Sequence, residues 1–96
     1  MRTVIDDFLA GAEPTVARIH EAIARNDLAA LAKAAHKLGG GALTVGLWEL
    51  GELARTAEAQ IKTGTAEKAL ATAARIPALF QAGAEALRRY AIELET

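Results

Sequence analysis

Along this chain, apolar side chains recur at steps of three and four residues almost from end to end, the spacing that lines one face of an α-helix. Val4, Ile5, Phe8 and Leu9 predict a short first helix, with Thr3 as its cap and Gly11 as its end. Pro14 suits an early position of the next helix, because its fixed φ is preset for a first turn. Val16, Ile19 and Ile23 then form one stripe. Asn26-Asp27 breaks the pattern, and the short side-chain oxygens there can cap a third helix by accepting free backbone N–H groups. That helix carries Leu28, Leu31, Ala35, Leu38 and Ala42 on one stripe, and Thr44-Val45-Gly46 reads as a connection. A fourth helix runs on Leu47, Leu50, Ala54, Ala57 and Ile61. Lys62-Thr63-Gly64-Thr65 is the clearest turn, with Gly64 closing one helix and Thr65 capping the next. The last helix uses Ala69, Ala73, Ile76, Phe80, Leu87, Ala91 and Leu94. Pro77 is expected to kink or split it, because the ring clashes with the carbonyl four residues back.

Short connections between helices of similar length favour antiparallel neighbours. The expected fold is all-α, an antiparallel up-down four-helix bundle with a short additional N-terminal helix, in one domain over residues 1–96. Composition changes this picture only by thinning the core. The chain is 52% hydrophobic but only 4% aromatic, so its apolar volume is mostly alanine and leucine, both strong helix formers.

The charges are interspersed and sum to −1. Arg88-Arg89 is a single basic pair and no phosphate-tracking stripe, so nucleic acid is not an expected partner. No apolar run approaches the roughly 18 residues that a bilayer span needs, and Asp6 and Asp7 interrupt any signal-peptide stretch. We therefore expect a cytoplasmic chain that does not enter a membrane. Starting at Met1 and stopping soon after its last helix, it reads as a free-standing protein or a trimmed domain.

Much chemistry is excluded by absence. Without serine or cysteine the usual nucleophile-and-base pairs are missing, so an enzyme with its own active site is not expected. Two histidines, His20 and His36, cannot build a histidine-rich zinc site. Ala17 and Lys33 stand three residues before them, which removes the Glu-x-x-His pattern of helical di-iron bundles. Gly41 and Gly46 have the spacing of a phosphate-binding loop, but Leu47-Trp48 follow where Lys-Ser/Thr belongs.

His36 stands apart. On a helical wheel it lies roughly 120° from the stripe of Leu31, Ala35, Leu38 and Ala42, at the solvent edge. Its wheel neighbours Ala29, Ala32, Gly39, Gly40 and Leu43 are nearly all small, and Lys33 and Lys37 flank them. Each glycine costs a helix interior about 1 kcal/mol against alanine, so Gly39-Gly40-Gly41 admits two readings. Either the helix ends near Leu38 and the glycines are an exit, or it continues and bare backbone lets another protein approach His36. Of the other residues, His20 reads as surface or boundary, Trp48 as a cap on the core, and Glu49, Glu52 and Arg55 as solvated charges. If the third and fourth helices are antiparallel about Val45, Arg55 and Glu58 come within range of His36.

His36-Lys37-Leu38-Gly39-Gly40-Gly41-Ala42, then Gly46, Leu50, Leu53 and Glu58, resembles the signature of the histidine-containing phosphotransfer (Hpt) domain, His-x-Leu-Lys-Gly-Ser-Ala followed by a Gly, spaced leucines and a Leu-Glu pair. Asn26-Asp27 sits where that family usually has Gly-Asp. The resemblance implies a four-helix bundle in which His36 accepts a phosphoryl group through Nε2 and exchanges it with a receiver-domain aspartate. It implies Glu58 as a carboxylate that orients the ring. Receiver docking falls to Ala32, Lys33, Lys37, Gly39, Gly40 and Leu43, with Gly40 as the docking glycine. The expected partners are a response-regulator receiver domain, a hybrid histidine kinase, or both, and the chain is expected to be a monomer. It needs no cofactor of its own, since Mg²⁺ is expected on the receiver, and it is a phosphocarrier rather than an enzyme. Two positions depart from the signature: Gly39 replaces a lysine and Gly41 replaces a small hydroxyl residue. Lys37 and Lys33 are the nearest substitutes for the lysine, although neither shares its wheel angle. A domain working in cis within a larger kinase stays open at this point, as does a helical interaction module whose histidine is never phosphorylated.

Overall fold

The computed structural model describes the backbone of residues 4–95 and the side chains of residues 4–90. Thr3, and the stripe positions Ala91 and Leu94, lie outside the residues so described. Every element among the described residues is a helix: α1 Val4–Arg25, α2 Leu28–Thr44, α3 Trp48–Lys62, α4 Ala66–Ala73 and α5 Ile76–Glu95.

The short first helix is not a separate element. Residues 4–25 form one helix through both Gly11 and Pro14. Its buried stripe of Leu9, Ala12, Thr15, Ile19 and Ala22 never breaks, whereas Gly11 and Pro14 both face solvent, where a lost contact costs little. The Thr15 hydroxyl, buried one turn further on, donates to the Gly11 carbonyl at 3.0 Å. Burial along the continuous stripe outweighs the local breaking tendency of the two residues.

Three helix ends share one closing device. The N–H groups of Asp27, Leu47 and Thr65 reach back to the carbonyls of Ala22, Ala42 and Gln60. Those of Asn26, Gly46 and Gly64 bond Ile23, Leu43 and Ile61. This double bond pattern needs a left-handed residue at the turn, and Asn26, Gly46 and Gly64 supply it with φ of 55°, 85° and 81°. Asp27 then caps α2 as expected, its Oδ1 accepting from the Ala30 N–H. Thr65 occupies the N-cap position of α4 as expected, but its hydroxyl makes no capping bond and donates back to the Gln60 carbonyl instead. Pro77 does divide the last helical stretch. α4 stops at Ala73, and Pro77 lies in the first turn of α5, where its missing N–H breaks no helical bond.

The molecule measures 48 × 20 × 18 Å. A width near 20 Å holds two helix diameters of about 10 Å, so each helix keeps one buried and one solvent face. The core is thin and rich in alanine: Ala35, Ala42, Ala54 and Ala57 are wholly buried, with Ile19, Leu31, Leu38 and Ile76 filling the larger spaces. α2 and α3 run antiparallel. His36 lies against Glu58, Gly39 against Ala54 and Arg55, and Leu43 against Gly51. Numbers rise on one helix as they fall on the other, centred near Leu47 rather than Val45.

Candidate functional site

α2 continues through all three glycines to Thr44, so the exit-loop reading is excluded. Successive helical residues point about 100° apart, and Gly39, Gly40 and Gly41 accordingly face three different surroundings. A Cβ at Gly39 would meet α3, at 3.4 Å from Arg55 Cγ and 3.6 Å from Ala54 Cβ. One at Gly41 would press on the Phe8 ring of α1, at 3.1 and 3.2 Å. One at Gly40 would meet nothing within 4 Å. The two departures from the family signature are thus the two positions that face neighbouring helices, and at Gly41 the neighbour is crowded.

Gly39 is buried in the seam between α2 and α3, and so does not belong to the exposed surface around His36. Leu43 is half-buried, with its side chain against the Cα of Gly51. Ala32 is half-buried as well, while Lys33, Lys37 and Gly40 are exposed beside His36. On the α1 side, Thr15, Arg18, Lys33 and Lys37 line a groove that reaches His36.

The His36 side chain is 76% exposed and its partner Glu58 only 15%. Nδ1 of His36 stands 3.0 Å from Oε2 and 3.2 Å from Oε1 of Glu58. A carboxylate only accepts, so the ring nitrogen facing it carries the proton and donates. Nε2 is then left with its lone pair on the side away from Glu58. Lys62 Nζ, one turn along α3, lies 3.5 Å from the same carboxylate. Burial raises the Glu58 carboxyl, but the hydrogen bond and charge of His36, with Lys62, outweigh it and hold the group below its ordinary value.

Two sequence expectations fare differently. His20 is exposed, as expected. Trp48 does not cap the core. It is 67% exposed at the start of α3, whose inward face is Leu50, Gly51, Ala54 and Ala57. No group of three or more His, Cys, Asp or Glu side chains among the described residues is placed to hold a metal ion. No described helix is long and apolar enough to cross a membrane.

The sequence matches the family model described as the Hpt domain over residues 3–90. No curated protein and no solved structure matches it. Hpt domains are phosphotransfer modules of two-component signalling, and with the match running through nearly the whole chain, this protein belongs to the Hpt domain family.

Proposed function

We propose that this chain is a cytoplasmic histidine phosphocarrier, one monomeric phosphotransfer domain that moves a phosphoryl group between His36 and a receiver-domain aspartate. The observation that carries this reading is the exposed imidazole of His36, tied through Nδ1 to the sheltered Glu58 carboxylate. A neutral ring nitrogen is nucleophilic near neutral pH, and the Glu58 contact selects the tautomer that frees Nε2. An up-down bundle, supported by the short connections and the antiparallel α2–α3 pair, keeps that nitrogen on the outside.

In the forward step Nε2 attacks the phosphorus of the aspartyl phosphate in line. The N–P bond forms as the P–O bond breaks, and the aspartate leaves as a carboxylate. The Nδ1 proton stays in place. The ring, now substituted at both nitrogens, carries a positive charge that Glu58 balances. Phosphoryl transfer depends on positioning and charge neutralisation, and the receiver's Mg²⁺ supplies part of the latter. The chain needs no cofactor and completes no turnover alone, so it acts as a carrier and not an enzyme. Lys33, Lys37, Gly40, Ala32 and Leu43 surround His36 and form the receiver-facing surface. The partner is a response-regulator receiver, alone or as part of a hybrid kinase.

Incubation with a phosphorylated receiver domain tests the reading. Acid-labile phosphate should appear on the parent chain and not on His36→Gln. An interaction module with an idle histidine would take up none.

A further inference from the structure

The signature lysine is missing at Gly39, and a side chain there would leave α2 in contact with the stem of Arg55. Arg55 of α3 crosses there, its Cγ 3.4 Å from where a Cβ at Gly39 would stand. Arg55 precedes Glu58 by three residues on α3, and Gly39 follows His36 by three on α2. In an antiparallel pair this stacks Arg55 over Gly39 just as Glu58 stacks over His36. The four residues form two adjacent rungs, about 4.5 Å apart along the helix axis.

Arg55 is exposed, and among the described residues no carboxylate pairs with it. The sequence explains why. Its i−4 and i+4 neighbours are Gly51 and Ala59, which have no charge to offer, Glu52 three residues before it makes no ion pair with it, and Glu58 is held by His36 and Lys62. Among the described residues the guanidinium, three bonds beyond Cγ, is therefore an unpaired cation one rung from the ring that Glu58 orients.

We infer that Arg55 binds the phosphoryl oxygens carried on His36, doing from α3 what a lysine at position 39 would do from α2. The inference rests on the phosphocarrier reading. A planar guanidinium offers two parallel N–H donors to phosphoryl oxygens, where an ammonium offers a point charge. The arginine stem crosses the position from which that lysine would start, with its Cγ 3.4 Å from a Cβ at Gly39. Lys33 and Lys37 lie towards the α1 groove and line the opposite flank of His36.

The test compares the parent chain with Arg55→Ala, Arg55→Lys, Lys33→Ala/Lys37→Ala and the double variant Gly39→Lys/Arg55→Ala. Each is phosphorylated from the same receiver, with helicity checked by circular dichroism. Arg55→Ala should slow transfer to His36 about ten-fold, the scale of one charge-assisted hydrogen bond. Arg55→Lys should keep most of the rate. Gly39→Lys/Arg55→Ala should recover it, because the charge returns from the opposite helix into vacated space. Arg55→Ala transferring like the parent would overturn the inference. So would a loss that neither charge-restoring variant repairs, or a loss confined to the Lys33/Lys37 variant. If the parent takes nothing from a receiver, the phosphocarrier reading fails separately. Phosphorylating His36 chemically with phosphoramidate still tests Arg55: its side-chain Nε–H NMR resonance should shift on phosphorylation, and an unmoved resonance overturns its role.

Discussion

Gly40→Leu separates stability from function at a single position. Gly40 sits in the interior of α2, is exposed, and a Cβ there meets nothing within 4 Å. Its backbone is helical rather than left-handed, so leucine enters without strain. Leucine is the better helix former by about 0.8 kcal/mol, mainly because glycine loses more backbone entropy on folding. With no new contact to offset that gain, the full amount should appear as stability. For a domain of this size it corresponds to a rise in Tm of about 3–6 °C. The same side chain projects one turn from His36 onto the face a receiver must cover to bring its aspartyl phosphate in line. Transfer should therefore slow by at least about ten-fold, since a misplacement of around 1 Å in such a step costs far more than that. Thermal denaturation followed by circular dichroism reads the first effect, and radiolabel transfer from a phosphorylated receiver the second. A Tm that falls, or transfer at the parental rate, refutes the docking role of Gly40.

Gly51→Ala should lower stability by about 1 kcal/mol or more in urea melts, because its Cβ would stand 2.7 Å from Leu43 Cγ and Cδ2, and overpacking outweighs the gain in helix propensity. His36→Gln should melt within about 0.5 kcal/mol of the parent, as exposed substitutions usually do, while accepting no phosphate. A large drop in Tm would mean the ring is structural. Glu58 titrates below its ordinary value of 4.5 in the folded chain, so the stability it contributes is present above that pH and lost as pH falls through the lowered native value. Carboxyl NMR should find its titration moved upward, towards 4.5, in His36→Gln, and no movement would deny the ion pair.

The all-helical class, the Asp27 cap, the Gly46 and Gly64 helix ends and the break near Pro77 were legible because each is local. Spacing, caps and turn residues act within a few positions of themselves. α1 was misread for a physical reason: Ala12 and Thr15 carry its buried stripe across Gly11 and Pro14, and neither stands out as apolar in sequence. Trp48 looked like core by residue type, but the phase of α3, set by Leu50, Gly51, Ala54 and Ala57, turns it outward. Glu58 was within reach of sequence reasoning through the family resemblance and through an assumed antiparallel pairing, although the true register sits about one turn from one centred on Val45. The glycine run could not be resolved at all from its own residues. What decides it are Phe8 and Arg55, one from each neighbouring helix.

That dependence explains why a costly run of glycines persists within a helix. Three glycines together forgo about 3 kcal/mol of helix propensity relative to alanine, a large share of what a small domain has to spare. At Gly41 the lost side chain leaves room for the Phe8 ring, which also packs on Phe80 at 6.4 Å between centroids. Beside Gly39 it is Gly51 that keeps the α2–α3 seam close: a Cβ at Gly51 would stand 2.7 Å from Leu43, whereas one at Gly39 would make ordinary contacts, 3.6 Å from the Gly51 carbonyl oxygen. Glu58 is largely sheltered and meets Nδ1 at 3.0 Å across that seam. Packing thus accounts for Gly41, while Gly39 faces a seam that would also take a Cβ. Gly40 has no packing neighbour, and packing alone predicts alanine there. On the docking proposal, its glycine leaves room for a partner that comes close from outside.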